Sequence, residues 1–355
     1  MRTRVLRIQP HLEPWRTLQS EYPAHSDIAS RLRFLLNYAV LAPSLYNSQP
    51  WRFEIENDTI RLYACTDRAV PVADPEGREL VVSCGAALLL LRVAARFFGL
   101  TYHLQLQPDP AQPTLLATFA ISGEEPATPA EIDLFTAIQT RHTYRGRFTE
   151  RAIPPRVVRR MREAAAIEGS RLQAVSELED RKRLRDAALE AEHSRWRDPR
   201  FCREWSEWLR PEETNAGDGL PAVTLGLRKA LVPWLPLVMR TLPAGTAPGQ
   251  SHDASAIDAP LFLCLETPGD SVRDWLLAGQ ALGRVLLTAA SAGLQASFLS
   301  HLIQQPEHRE QLGQLLHTQH RPQVLLRVGY PAQSAAPTPR RVVDEVAQHH
   351  GATRA

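Results

Sequence analysis

Cysteine is scarce: Cys65, Cys84, Cys202 and Cys264 are the only four in 355 residues. They are too few and too scattered for a disulfide framework or a zinc site, and read as packed thiols. A dominant charge is also missing. Lys and Arg number 41 against 39 Asp and Glu, a formal balance of +2 with the two signs interspersed, which offers no grip for nucleic acid or an acidic partner. Arg2, Arg4 and Arg7 open the chain, yet no apolar core of signal-peptide length follows, and no stretch reads as approaching membrane-spanning length. The expectation is a cytoplasmic protein. No Ser-His-Asp triad, metal-spaced histidine cluster or glycine-rich phosphate loop stands out, and His317 and His320 read as a solvated pair. The 28 prolines are spread through loops without forming a low-complexity tract.

What is present begins with length, enough for a large core and about two domains. The densest stretch is Ala42-Pro43-Ser44-Leu45-Tyr46-Asn47-Ser48-Gln49-Pro50-Trp51-Arg52-Phe53. Before it, Ile28, Leu32, Leu35, Leu36 and Ala39 recur at helical spacing, and Pro43 stops that helix. After it, Trp51, Phe53 and Ile55 alternate with Arg52 and Glu54, as in a half-buried strand. Ser44, Asn47 and Gln49 supply a hydroxyl and two amides that donate and accept at once, which suits the edge of a planar heteroaromatic ring. The same residues also suit a connection whose Asn and Ser cap their own backbone.

Along the chain, residues 1 to 27 read as an irregular or partly helical arm. Thr59 to Cys65 returns as a hairpin strand across Asn57-Asp58. A helix from about Glu79 to Phe98, closed by Gly99, is apolar nearly all round and must be central. Tyr102 to Leu106 and Leu115 to Ile121 read as strands, and a helix runs from Glu131 to about Thr140. Pro154-Pro155 opens a basic helix to about Ile167, and a charged helix covers Glu177 to about Ser194. Residues 195 to 250, with Trp196, Trp205, Trp208, Trp234 and Asp218-Gly219-Leu220-Pro221, read as a loosely helical insertion. Pro260 to Glu266 is a strand, Val272 to Ala292 a long helix closed by Gly293, and Gln323 to Tyr330 a core strand.

Ser83 to Leu100 aligns without gaps on Leu277 to Leu294: Gly85 on Gly279, Ala87 on Ala281, Leu88 on Leu282, Ala95 on Ala289 and Gly99 on Gly293. An apolar strand follows each helix. The pattern reads as a duplicated unit; likeness between two Ala- and Leu-rich helices is the other reading.

Ala-Pro-Ser, then Asn, then Gln-Pro-Trp directly after a helix resembles the flavin-contacting loop of the nitroreductase family. Arg141-His142-Thr143-Tyr144-Arg145 is similar to that family's phosphate clamp, and Gly329-Tyr330-Pro331 is followed by Arg340 and Arg341, one of which the resemblance sends to the same phosphate. The resemblance implies an α+β fold of sheets flanked by helices, duplicated within one chain as a pseudo-dimer. Its first half would be residues 1–128, with the ring-side loop, and its second 129–355, with the clamp. One FMN per chain would then sit between Pro43, Ser44, Asn47 and Gln49 on one side and Arg141, His142, Thr143 and Arg145 on the other. Main-chain donation to the ring is expected from Leu299 or Ser300.

Within the family the single-chain form resembles the Acg-type branch, which implies that residues 195–250 fold over the flavin as a lid. Their tryptophans alternatively form the insertion's own small core. The implied activity is a two-step cycle in which NAD(P)H reduces FMN and a nitroaromatic, quinone or similar acceptor reoxidises it. The alternatives are a non-catalytic protein that stores FMN under a closed lid, and a homologue that binds no flavin. A built-in pseudo-dimer favours a monomer.

Overall fold

Two long helices cross at two glycines, and the two larger sheets among the described residues are arranged about that crossing. The computed structural model describes residues 10–211, 215–222 and 259–349; the Arg2, Arg4 and Arg7 cluster, Trp234 and most of the second part of the expected lid lie outside them. Helices α1 (Ile28–Ala39), α2 (Arg78–Phe97), α3 (Pro129–Thr136), α4 (Pro155–Ile167), α5 (Leu178–Trp196), α6 (Pro199–Glu207) and α7 (Val272–Ser291) carry most of the helical mass.

Helix α2 starts where the Asp74 carboxylate accepts from the Leu80 N–H at 2.9 Å, and its chain turns away at Gly99, φ 77°. Helix α7 starts on a capping box, Ser271 N–H reaching Asp274 Oδ2 at 2.9 Å and Asp274 N–H reaching Ser271 Oγ at 3.3 Å. A Cβ on Gly85 would lie 2.9 Å from Gly279 Cα, and one on Gly279 would lie 2.8 Å from Gly85 Cα. Each would also collide with a carbonyl of the other helix, that of Leu276 or of Val82. Only glycine permits backbones this close. By length and composition α2 could cross a membrane, contrary to the expectation that no stretch approaches that length; 83% of its apolar window is buried inside the protein. Its all-round apolar surface is the surface of a core helix.

The first sheet has the order β11 (Ala347–His349), β1 (Trp51–Glu56), β2 (Thr59–Ala64), β4 (Leu115–Glu124), β3 (Leu100–Leu106), and the second the order β5 (Arg171–Val175), β8 (Leu261–Thr267), β10 (Arg321–Gly329), β9 (Gln295–Phe298). Strands β1, β2, β3 and β4 pair antiparallel, as do β5, β8, β9 and β10. In each sheet the central helix joins the second strand to the third, and the fourth strand inserts between them. A further helix, α1 or α4, precedes the first strand. The units differ where β1 turns tightly into β2 at Asn57, φ 55°, while 85 residues separate Val175 from Leu261. That excursion carries α5, α6 and the two-residue strands β6 (Leu209–Arg210) and β7 (Leu220–Pro221), which pair parallel.

Strands β5, β6, β7, β9 and β11 go beyond the sequence expectation. Strand β5 is only five residues long and carries Arg171 and Gln173, so it lacks a clean alternation. Strand β11 (Ala347–His349) is almost wholly polar and exists because it adds parallel to the open edge of β1, Phe53 opposite Ala347. The tail from the second sheet therefore returns to the first. Phe135 on α3 likewise stacks on Phe97 at 3.7 Å, so the first core extends through Ile138.

Candidate functional site

The loop after α1 is held in a costly backbone conformation: Tyr46, Asn47 and Gln49 have φ of 51°, 56° and 50°. Left-handed backbone at three non-glycine residues needs compensation from its surroundings. Asn47 Nδ2 donates to Gly219 O at 3.1 Å and Pro339 O at 2.9 Å, and Arg340 Nη1 donates to Asn47 Oδ1 at 2.9 Å. Gln49 Nε2 donates to Gly217 O at 2.8 Å, while its Oε1 accepts from the Arg341 N–H at 2.9 Å. Ser44 Oγ accepts from the Gln49 N–H at 2.9 Å. Both amides thus tie three segments together: the loop, the Gly217-Asp218-Gly219 turn and the Pro339-Arg340-Arg341 tail. Asp218 completes the knot with ion pairs to Arg68 and Arg210, and these cations hold its carboxyl below the usual range despite burial.

Arg141 and Arg340, 2% and 3% exposed, both donate to Leu41 O, at 3.0 and 3.3 Å. Their guanidiniums lie 6.0 and 5.0 Å from the Trp15 ring, against which His142 also packs at 4.6 Å. Neither Nε has a partner among the described residues. Burial lowers Arg141 to about 10, and it lowers His142 to about 3, with the nearby Arg141 and Arg340 adding to the effect. His142 is therefore a neutral imidazole. Arg341 leans on Glu345 at 3.5 Å.

Beside this cluster opens a cavity of about 660 Å3, within the range for a cofactor-sized ligand. Pro43, Ser44, Thr143, Arg145, Leu299 and Ser300 line it, so six of the expected residues meet on one wall system. Asn47, Gln49, Arg141, His142, Arg340 and Arg341 are not among the lining residues. Segment 142–144 runs along β9, with Thr143 bridging to Ala296 and Tyr144 N–H donating to Ala296 O at 2.9 Å. The Leu299 N–H is already spent on Leu325 O at 2.9 Å, which leaves Ser300 as the candidate main-chain donor.

At one end stand two cations. Arg327 Nη2 donates to Arg145 O at 3.0 Å, its guanidinium faces the Phe148 ring at 5.1 Å, and its Nη1 has no partner among the described residues. Burial lowers both Arg145 and Arg327 to about 10. Among the described residues no carboxylate pairs with either. A buried guanidinium at Arg327 and a half-buried one at Arg145, with no carboxylate partner among the described residues, suit an anionic group, phosphate in particular. At the other end are Glu79, His301 and Gln304, with Trp196, Trp205 and Leu220 from the insertion. Both ends share β10: Gln323 O accepts from Arg78, the neighbour of Glu79, while Arg327 lies four residues on. A strand rises about 3.3 Å per residue, so the ends are roughly 13 Å apart. An elongated ligand with an anionic tail fits this arrangement.

Sequence reasoning missed Arg327 and Glu79. A single Arg in the otherwise apolar run Val324 to Val328 was the available signal for the first, since an unpaired charge inside a core strand needs a reason. Glu79 had no signal beyond standing at a helix start. Of the insertion's tryptophans, Trp196 and Trp205 line the cavity, and they also pack with Phe201, Leu209, Leu220 and Tyr46 in a small core.

Comparison with known proteins agrees with the sequence resemblance. Residues 138–330 match the model of the nitroreductase family. Mycobacterium tuberculosis (strain ATCC 25618 / H37Rv) protein Rv3127 is 32% identical over 330 residues, covering 88% of this chain and 93% of that one. Two further proteins of that strain are described by name, provisionally, as NAD(P)H nitroreductases. Rv3131 is 32% identical, covering 91% of this chain and 93% of its own, and acg is 30% identical, covering 89% and 94%. Among solved structures, the nitroreductase with bound FMN from Bacteroides fragilis NCTC 9343 is 15% identical, with a TM-score of 0.35, and covers 59% of this chain and 94% of that one.

Proposed function

The chain belongs to the nitroreductase family, and from that premise we propose that it is an FMN-dependent NAD(P)H oxidoreductase of the Acg type, working in the cytoplasm as a single-chain pseudo-dimer. The observation that carries this reading is the pair Arg145, half-buried, and Arg327, buried, without a counter-anion among the described residues, at one end of a cavity whose far end brings Trp196, Trp205 and Leu220 together with Glu79, His301 and Gln304. Arg145, Arg327 and the Thr143 hydroxyl would hold the FMN phosphate, while Pro43 and Ser44 would line the ring side, with the Ser300 N–H as main-chain donor. Arg141 and Arg340 add positive potential from behind this wall, and His142 holds them through Trp15. Asn47, Gln49 and Arg341 act at one remove, by fixing the loop that carries Ser44.

FMN supplies the redox chemistry, accepting a hydride from NAD(P)H and passing reducing equivalents to an acceptor such as a nitroaromatic or quinone. The protein's own part is to bind the phosphate, orient the ring and shape the acceptor end. The matching order of four strands, β1-β2-β4-β3 in one sheet and β5-β8-β10-β9 in the other, and the meeting of Gly85 with Gly279, support two duplicated halves divided near residue 128, only one of which supplies each part of the site.

A second reading is supported by the insertion. Trp196, Trp205 and Leu220 line the cavity while Asn47, Gln49 and Arg68 hold the Gly217-Asp218-Gly219 turn in place, an arrangement that equally serves a closed lid over stored flavin. Anaerobic mixing of the FMN-loaded protein with NADH or NADPH separates the two. Bleaching of the flavin band within seconds is expected for the oxidoreductase, and a band that persists for minutes identifies the storage protein.

A further inference from the structure

We propose that Glu79 is the acid that protonates the acceptor during its reduction, with the acceptor seated between Glu79 and the Trp196 and Trp205 wall; a quinone is the acceptor that tests this. This rests on the redox reading of the site and names the group that completes its chemistry.

Glu79 sits in the first turn of α2, 14% exposed at its side chain, on the wall of the cavity. It lies at the end remote from Arg145 and Arg327, so it is not part of the anion clamp. Its carboxyl is fixed from two sides: Arg78 Nη2 contacts Oε1 at 3.2 Å, and Gln304 is hydrogen-bonded to it. Arg78 is itself immobilised by the carbonyls of Gln323 and Ile303, so it cannot swing away to uncover a free carboxylate.

The charges around Glu79 compete. Arg78 on its own helix, Arg195 on α5 and the Gln304 hydrogen bond favour the carboxylate, whereas burial and Asp74 before the helix favour the acid. His301 faces the same end, lowered to about 4 by burial and by Arg195, and so stays neutral. Tyr46, buried nearby, is pushed far above its usual range. Burial prevails at Glu79 and raises it to about 7, where acid and carboxylate coexist and proton transfer is most effective.

The step balances as NAD(P)H plus quinone plus a proton giving NAD(P)+ plus hydroquinone. The quinone gains a hydride with its electron pair, delivered through FMN. The O–H bond of the Glu79 carboxyl breaks as an O–H bond forms on a quinone oxygen, and water then reprotonates the carboxylate. The Trp196 and Trp205 rings supply flat apolar area for a ring of this kind, and the Glu79 acid a donor aimed at its oxygen.

The test uses the full-length FMN-loaded protein, 1,4-benzoquinone as acceptor, and the variant E79Q. After reduction by NADPH, the wild type is expected to be reoxidised by the quinone at a rate that falls as pH rises through about 7. E79Q should be slowed about 100-fold and lose that pH dependence, with FMN affinity and the rate of reduction by NADPH unchanged. Independently of turnover, infrared spectra of the flavin-free protein should show a carboxylic-acid band that titrates near neutrality and is missing in E79Q. Should E79Q fail to fold, E79D keeps the acid but withdraws it by one methylene, and slowed reoxidation with the pH profile retained is expected. A wild-type protein that holds no FMN would bring down the reading of the site, and this proposal with it. Normal flavin binding and reduction, with either variant reoxidised at the full rate or with an infrared band that titrates below pH 5, would overturn the role of Glu79 alone.

Discussion

Asn47 and Gly219 are 172 residues apart and bonded twice: Asn47 Nδ2 donates to Gly219 O at 3.1 Å, and the Gly219 N–H donates to Asn47 O at 3.3 Å. A third bond, from Arg340, occupies the remaining acceptor of the same amide. The residue that sequence reasoning aimed at a cofactor edge is in this structure the knot that joins loop, insertion and tail. Asn47→Ala should destabilise the protein by about 2 to 3 kcal/mol, because it strands buried partners and keeps the strained φ. Chemical denaturation measures this; a loss under about 0.5 kcal/mol would show the knot to be dispensable.

Asp218→Asn weakens the insertion's attachment without touching the cavity wall, since Asp218 is held by Arg68 and Arg210. If residues 195–250 restrict access, flavin reduction by NADPH should accelerate several-fold. Stopped-flow absorbance reads the rate, and an unchanged value would mean that this attachment does not limit hydride entry.

At the helix crossing, Gly279→Ala places a methyl 2.8 Å from Gly85 Cα and against the Val82 carbonyl. Both neighbours are helix backbone and cannot step aside, so a cost of about 3 kcal/mol is expected. Gly77→Ala is the contrast: its Cβ meets nothing within 4 Å, leaving only the left-handed φ of 69°, with a cost of about 1 kcal/mol. Equal melting points for the two variants would refute a close-packed crossing.

Acid should loosen the fold early. His142 and His301 are held neutral, at about 3 and about 4 against an ordinary 6.5, so the unfolded chain takes up their protons first. Their contribution is complete above about pH 6.5 and is lost progressively as pH falls below it. Glu79 runs the other way, raised from 4.5 to about 7: the stability it lends is complete below 4.5 and is lost as pH rises through 7. Urea midpoints compared at several pH values test both signs. His142→Gln should flatten the acid limb, and E79Q should gain most over the wild type above pH 7.

Much of this architecture was legible because its signals are local. The α1 stop at Pro43, the Asn57 hairpin and the apolar α2 and α7 with their closing glycines each follow from a few adjacent residues. The pairing of Gly85 with Gly279 was legible too, since an ungapped alignment set them opposite before any contact was known. Strand β11 was not, because Ala347-Gln348-His349 becomes a strand only where β1 offers an open edge. The site divided along the same line. Pro43, Ser44, Thr143 and Arg145 carry their chemistry in their own segments and reach the cavity. Asn47 and Gln49 have equally suitable amides, but partners 168 to 293 residues distant claim them, and nothing in the loop's own sequence records that competition.

The central claim is that FMN is held through the anion end of this cavity, and equilibrium binding of FMN to the purified protein tests it most directly. The account predicts one FMN per chain for the wild type and a loss of about 1.5 to 3 kcal/mol in binding for Arg145→Ala and for Arg327→Ala, roughly 10- to 150-fold in Kd, the range of a charged hydrogen bond. Arg141→Ala, which removes charge from behind the wall, should weaken binding less. Full-strength binding by both cavity variants, or no binding by the wild type, would contradict the account.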